Sequence, residues 1–118
     1  MPVQEKVDLC RLDEYVSEAG ISHIGLLKLD VEGHELAALR GLGKFLDPDR
    51  VDAIQFEYGG ANLDSHTSLM ELSRLLVDAG FVLCKVMPTC LERREYRPRM
   101  DDFQYANYVA LGGEFRSA

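Results

Sequence analysis

Acidic side chains stand at two points of the sequence where an apolar run ends. Asp30 and Glu32 close the first run and are followed by Gly33, while Glu57 lies near the end of a second run. A carboxylate in such a position can take a proton from a substrate hydroxyl group or orient that group. Open α/β sheets bind their ligands just outside the carboxyl ends of their strands, so Asp30 is the leading candidate.

The residues around Gly33 allow two interpretations. Glu32 and Glu35 lie where a helix begins, and negative charge is favoured there by the unpaired amides and the helix dipole. Each glutamate is therefore either a helix cap or part of a site. Gly33 is expected to permit a tight turn with positive φ, or a close approach to a ligand. His34 is expected to be a solvated turn residue rather than a ligand.

The two apolar runs are predicted to be strands that flank a helix. Residues 26–31 place apolar side chains on both faces, which is typical of a parallel strand covered on both sides. Apolar residues at helical spacing after His34 predict the helix, and residues 51–58 predict the second strand. A strand, helix and strand in succession form a parallel, right-handed crossover. Asp30 and Glu57 are therefore expected at the same edge of the sheet.

The rest of the chain continues as an α/β pattern. Residues 12–19 predict a short helix that ends at Gly20, and a capping-box spacing at Ser68 and Glu71 begins another that ends at Gly80. Two further strands, at 81–87 and 105–111, are predicted to pair antiparallel. The connections at 59–67 and 88–103 are predicted to be loops, of which the first is polar and suited to substrate contacts.

The loop at 88–103 is locally basic, although the chain has a net charge of −7. Its cations either bind an anionic substrate or form solvent-exposed ion pairs with the neighbouring acids. The charged residues are Arg93, Arg94, Arg97 and Arg99, with Glu92 and Glu95.

The composition limits the class of protein. The 118 residues suffice for one domain, and the net charge of −7 argues against nucleic acid or an anionic membrane surface as the main partner. No stretch approaches the ~20 apolar residues of a membrane span, and the first residues lack a signal peptide's apolar core, so we expect a soluble cytoplasmic protein. Cys10 and Cys84 are expected in the core and Cys90 in a loop, without a disulfide framework or a zinc site.

In combination, several motifs resemble the C-terminal half of an FkbM-type methyltransferase, from about residue 7 to residue 111. The resemblance implies an S-adenosylmethionine-dependent enzyme that methylates a hydroxyl group of a small molecule or sugar. It also implies a Rossmann-like mixed sheet with parallel strands and a C-terminal antiparallel hairpin, flanked by helices. The motifs are Leu12-Asp13-Glu14-Tyr15, Leu27-Lys28-Leu29-Asp30-Val31-Glu32-Gly33-His34-Glu35, Leu39-Arg40-Gly41 and Phe56-Glu57.

The resemblance assigns roles to the residues at the predicted edge. A substrate oxygen would attack the sulfonium methyl group in line, and Asp30 would act as the base or as an orienting acceptor, with Glu32 and Glu57 as the next candidates. A magnesium ion shared by Asp30 and Glu57 ranks lower. Substrate-binding positions are expected at Gly33, His34, Glu35 and Tyr58.

The glycine-rich cofactor loop of the family has no counterpart in this sequence. Gly41 and Gly43 form the only G-x-G, which stands at a helix end and not between a strand and a helix. We therefore expect a C-terminal half whose cofactor binding needs another chain. The strand at 26–31 would then be an apolar sheet edge that favours a homo-oligomer or a covering partner.

Two rival interpretations stay open. The chain is alternatively a non-catalytic methyltransferase-like module for binding or oligomerisation. A different nucleotide-using α/β enzyme is the third interpretation, but no phosphate-binding loop supports it.

Overall fold

The computed structural model describes residues 10–117, which form a five-stranded mixed sheet with helices. Short 3-10 turns lie at Gly43–Phe45, Pro98–Met100 and Gly113–Ser117. The helices and strands are α1 (Leu12–Glu18), β1 (Ile24–Leu29), α2 (Glu35–Gly41), β2 (Val51–Tyr58), α3 (Gly60–Asp64), α4 (Leu69–Asp78), β3 (Val82–Val86), β4 (Leu91–Arg93) and β5 (Ala106–Leu111).

The strand order across the sheet is β1-β2-β5-β3-β4. β1 and β2 pair in parallel, which confirms the predicted crossover. β5 inserts between β2 and β3 and runs antiparallel to both, so the predicted antiparallel pair of late strands is also confirmed. This mixed sheet is compatible with a Rossmann-like methyltransferase fold.

The hydrophobic core lies on one face of the sheet. On β2, Ile54, Phe56 and Tyr58 alternate toward this face and are almost fully buried. Phe56 pairs in register with Leu29 on β1 and with Tyr108 on β5, whose ring stacks on that of Phe56. The helices cover this face with buried apolar residues of α1, α2 and α4, namely Val16, Leu36, Leu39, Leu69, Leu72 and Leu76.

The opposite face is more open along β1. Leu26 and Lys28 are opposite Ala53 and Gln55 in the register, and Leu26 is 61% exposed. Within residues 10–117, the buried apolar residues of α1, α2 and α4 all join the core on the first face. The expectation that both faces of this strand are covered is therefore wrong for the described part of the chain.

Three local predictions also differ from the structure. β1 ends at Leu29, and Val31 lies 40% exposed in the following turn rather than in the strand. The predicted polar loop at 59–67 contains α3, and the loop at 88–103 contains β4, which pairs with β3. Elements of three to five residues carry too few periods of an apolar pattern to be recognised in a sequence.

The termini of the longer helices follow their sequence signals. At the start of α4, Ser68 Oγ accepts a hydrogen bond from the Glu71 amide, and the Glu71 carboxylate accepts one from the Ser68 amide. The predicted capping box is thus confirmed. Gly20, predicted to end α1, has a φ of 68° just beyond that helix. The sequence also predicts a short strand or extended segment at 7–12, most of which falls outside the described residues.

The cysteines lie apart from one another. Cys84 is buried and Cys90 is exposed, as predicted, whereas Cys10 is exposed and not a core residue. Among the described residues, no helix combines the length and the apolar character needed to cross a bilayer.

Candidate functional site

The turn between β1 and α2 has an unusual backbone. Glu32 has a φ of 45° and Gly33 a φ of 94°, both in the left-handed region. Gly33 is also buried, and a Cβ atom there would lie 2.9 Å from Ser65 Oγ and nearer still to the Ala61 carbonyl oxygen. Glycine is therefore required at this position for both the dihedral angle and the space, as the sequence predicted.

Glu35 is the residue that closes this turn. Its side chain is 1% exposed, and both carboxylate oxygens accept the Gly33 amide, at 3.2 and 3.1 Å. Burial raises the pKa of the Glu35 carboxyl group, and the Gly33 amide opposes part of that rise by stabilising the ionised form. Of the two interpretations left open for Glu35, the backbone contact is the one seen, and a substrate cannot reach this carboxylate without moving the turn.

The segment that follows β2, residues 59–67, is hydrogen-bonded to this turn. Asn62, which is 1% exposed, accepts the Gly59 amide through Oδ1 at 3.0 Å and donates through Nδ2 to Thr67 Oγ1 at 3.0 Å. The Thr67 hydroxyl donates in turn to the Gly33 carbonyl at 3.3 Å. This loop was predicted to hold substrate contacts, but Asn62 and Thr67 join the two loops together. The contact of Asn62 with the Gly59 amide caps the start of α3. The three-residue spacing between these residues was the sequence signal that could have revealed it.

The register brings the two leading acids to the same edge of the sheet. Leu29 at the end of β1 pairs with Phe56 on β2, and Asp30 and Glu57 are the residues that follow these two. Glu57 alternates away from the core face of Phe56. Within residues 10–117, neither acid forms an ion pair. Both carboxylates are therefore available at the edge where the parallel strands end.

Glu57 has a partner that sequence reasoning missed. The Tyr105 hydroxyl donates to Glu57 Oε1 at 3.2 Å, and it accepts a hydrogen bond from Asn107 Nδ2 at 3.1 Å. Tyr105 lies just before β5, and Asn107 lies in β5, where it pairs in register with Glu57. No local pattern reveals this pairing, because 48 residues separate Glu57 from Tyr105.

The remaining predicted site residues divide into buried and exposed. Tyr58 is 1% exposed, its hydroxyl accepts the Phe103 amide at 3.0 Å, and burial raises its pKa to about 12. It therefore anchors the loop before β5 and does not face solvent. Glu32 and His34 are exposed, and the His34 carbonyl accepts the Ala38 amide at the start of α2.

The described residues offer limited means of holding a metal or a cofactor. Between residues 10 and 117, no group of three or more His, Cys, Asp or Glu side chains lies close enough together to hold a metal ion. Gly41 and Gly43 stand at the end of α2, where a Cβ on Gly43 would meet Asp13 Oδ2 at 2.9 Å. These glycines thus pack α2 against α1 and do not form a strand-to-helix cofactor loop.

Comparison with known proteins adds one match. The model of the family described as the methyltransferase FkbM domain matches residues 3–97, which is most of the chain. No curated protein and no solved structure gives a significant match.

Proposed function

Because the chain belongs to the FkbM methyltransferase family, we propose that it methylates a hydroxyl group of a small molecule or sugar with S-adenosylmethionine as the methyl donor. The observation that carries the acceptor side of this proposal is that Asp30 and Glu57 each follow one of two paired residues, Leu29 and Phe56, at the edge where the parallel strands end. Two carboxylates without an ion pair at this edge suit the binding and deprotonation of a hydroxyl group.

Each residue of this edge has a proposed role. Asp30 accepts the proton of the acceptor hydroxyl group, and Glu57, oriented by Tyr105, accepts a second hydrogen bond from the same molecule. Glu32 and His34 are exposed in the adjoining turn and contact the rest of the acceptor. Positioning in a fixed geometry is what such residues contribute to the rate of a transfer reaction.

The buried predicted residues act indirectly. Glu35 holds the Gly33 amide, and Gly33 in turn sets the path of the backbone between Asp30 and α2. Tyr58 fixes the backbone of Phe103, two residues before Tyr105. We therefore propose Gly33, Glu35 and Tyr58 as positioning residues rather than substrate contacts.

The cofactor requires residues beyond those described. Within residues 10–117, no glycine-rich loop connects a strand to a helix, so the residues present do not fit the methionine end of S-adenosylmethionine. We propose that residues outside the described part, in this polypeptide or in another chain, supply that part of the site.

Calorimetric titration of S-adenosylmethionine into the purified chain tests the enzyme proposal first. Micromolar binding supports it, whereas no heat at millimolar ligand favours a non-catalytic module or a subunit that lacks its partner. Transfer of a labelled methyl group to a panel of hydroxylated compounds then tests the chemistry. Asp30→Asn is expected to abolish the transfer because the amide cannot accept the proton.

The control for that substitution is Asp64→Asn. Asp64 is an exposed acid at the end of α3, on the neighbouring loop, and it makes no hydrogen bond among the described residues. The Asp64→Asn variant is expected to retain the activity of the unaltered chain. Equal activity of Asp30→Asn and Asp64→Asn would contradict the assignment of Asp30.

Within residues 10–117, β1 lies at one edge of the sheet, and this edge supports a proposal about assembly. The Ile24 amide donates to the carbonyl of Arg50, the residue before β2, at 2.8 Å. Ile24, Leu26 and Lys28 therefore direct their backbone groups toward β2. The alternate residues, Gly25 and Leu27 among them, direct theirs outward. We propose that two copies pair antiparallel through these outward groups, since an apolar edge recruits another strand.

We also propose a cytoplasmic location. Cys10 and Cys90 are exposed free thiols. Free thiols persist in the reducing cytoplasm and tend to be oxidised outside it.

A further inference from the structure

Three cations surround one small cavity at the carboxyl end of the sheet. Lys85 from β3, Arg94 just after β4 and Arg99 from the loop before β5 line a cavity of about 290 Å³. Asp102 is the acid that lines it with them. The cavity therefore carries an excess of positive charge in a chain whose net charge is −7.

These cations are incompletely paired within the protein. Arg94 donates through Nη2 to Glu92 at 3.0 Å, but its Nε is buried and has no hydrogen-bond partner among the described residues. Between residues 10 and 117, neither Lys85 nor Arg99 forms an ion pair. An anion in the cavity would be bound by Lys85 and Arg99, whose charges no carboxylate within residues 10–117 neutralises in an ion pair.

The position of the cavity links it to the candidate acids. Tyr105 and Ala106, at the start of β5, contribute to its lining. Tyr105 also donates its hydroxyl to Glu57. Lys85 pairs in register with Tyr108 and so lies on the core face, whereas Glu57 pairs with Asn107 on the opposite face. The cavity and the carboxylates are thus at the same end of the sheet but on opposite faces, and an acceptor that reaches both lies across that end, next to Tyr105.

The geometry points to a binding site for the carboxylate or phosphate group of the methyl acceptor, formed by Lys85, Arg94 and Arg99. A cavity of 290 Å³ is at the lower end of the size of ligand sites, so it holds an anionic group and a few further atoms rather than a nucleotide. The acceptor is accordingly an acidic hydroxy compound, such as a hydroxy acid or a sugar phosphate. This inference rests on the proposed function and specifies its substrate class.

Two of the four arginines of the loop at 88–103 belong to the proposed site. Arg97 does not, because it pairs with Glu95 at 3.4 Å and is 63% exposed. It is an example of an arginine that pairs with a neighbouring acid in solvent. Arg94 and Arg99 reach the cavity, together with a lysine from β3 that the sequence pattern did not single out.

Titration of inorganic phosphate and of acetate, followed by amide chemical shifts at constant ionic strength, tests the inference on the chain itself. Saturable shifts are expected at Lys85, Arg94, Arg99 and Tyr105 with at least one of the two anions. Phosphate alone would indicate a phosphorylated acceptor, and acetate alone a carboxylated one. Unsaturable shifts spread over the surface cations would overturn the site.

The matched variants are Lys85→Gln, Arg99→Gln and, as the control, Arg97→Gln. Each of the first two is expected to weaken anion binding about tenfold, the usual effect of losing one charged hydrogen bond, with an unchanged thermal unfolding curve. Arg97→Gln is expected to bind as the unaltered chain does, and an equal loss in this control would overturn the site. S-adenosylmethionine binding is measured separately by calorimetry, so anion binding is judged alone whether or not this chain binds the cofactor without a partner.

Discussion

At the scale of single residues, the turn after β1 depends on Gly33. Its positive φ and its contact with the Ala61 carbonyl and Ser65 hydroxyl exclude a side chain. The same residue makes hydrogen bonds in two directions, since its amide donates to Glu35 and its carbonyl accepts from Thr67. The path of the backbone between Asp30 and α2 therefore depends on this glycine.

Gly33→Ala is expected to lower the free energy of unfolding by at least about 2 kcal/mol, because backbone strain and steric overlap act together. Urea unfolding followed by circular dichroism measures this change. Gly25→Ala is the control, since a Cβ on Gly25 has nothing within 4 Å. Equal stabilities of the two variants would show that the turn adapts to a side chain.

Glu35 gives the molecule a specific pH dependence. Its pKa is raised in the folded state above the ordinary value of 4.5, so the folded chain binds this proton more tightly than the unfolded chain does. The contribution of Glu35 to stability therefore improves as the pH falls through its folded pKa toward 4.5, and worsens as the pH rises.

The matched variant for this effect is Glu35→Gln, which keeps an acceptor for the Gly33 amide and cannot titrate. The unfolding free energy of the unaltered chain minus that of Glu35→Gln is expected to become more positive between neutral pH and pH 4.5. Urea unfolding at several pH values measures this difference. A difference that does not change with pH would contradict the proposed environment of the carboxylate.

At the scale of elements, the long connection between β4 and β5 is attached to the start of α4. Asp101 Oδ1 accepts the Leu69 amide at 2.6 Å, and Oδ2 accepts the Met70 amide at 3.1 Å. The Tyr96 hydroxyl also donates to this carboxylate. A side chain from 32 residues away thus caps α4 in addition to its local capping box, and it fixes the loop that supplies Arg99 and Tyr105.

Asp101→Ala is expected to destabilise the fold by about 1–2 kcal/mol, as loss of a helix cap does. Asp102→Ala is the control, because Asp102 is exposed and accepts a hydrogen bond from the nearby Gln104 amide. Thermal unfolding of the two variants in parallel checks the prediction. The cap has no energetic role if Asp101→Ala is no less stable than Asp102→Ala.

At the scale of the whole molecule, β1 is the outermost strand of the sheet formed by residues 10–117, and no described strand pairs with its outer side. In a two-fold dimer with the two β1 strands antiparallel, the axis passes near the residue that lies opposite the same residue of the other copy. Pairing of the outward backbone groups places Leu27, or a residue close to it, at this position. When Leu27 faces Leu27, Gly25 faces Leu29, and every outward residue of β1 takes part. Such a pairing would extend the sheet across two copies.

Gly25→Pro is expected to disrupt this dimer, because proline removes an outward amide donor while the β2 side of β1 keeps its hydrogen bonds. Sedimentation velocity of the variant should show a monomer where the unaltered chain shows a dimer. Gly25→Ala, which retains the amide, should remain dimeric. A monodisperse monomer for the unaltered chain at high concentration would refute pairing between copies.

The sequence by itself determined the local units of this protein. Apolar periodicity gave β1, α2 and β2 in the correct order, and residues 51–58 coincide with β2. Capping chemistry located the start of α4 at Ser68, and the need for a positive φ was visible at Gly33. These features depend on interactions between residues that are at most four positions apart. They can therefore be recognised in the sequence without knowledge of the fold. The convergence of Asp30 and Glu57 also followed from local units, because consecutive parallel strands end at the same edge.

Only the tertiary structure decided which polar groups are buried and which stand beside the candidate acids. Glu35 and Asn62 are buried supports, Tyr105 contacts Glu57, and Lys85 lines the adjoining cavity, all without a local signal in the sequence. The physical reason is that each of these side chains is oriented by a partner on another element, whose position depends on the packing of the whole sheet. A hydrogen bond between residues 48 positions apart leaves no period in the sequence.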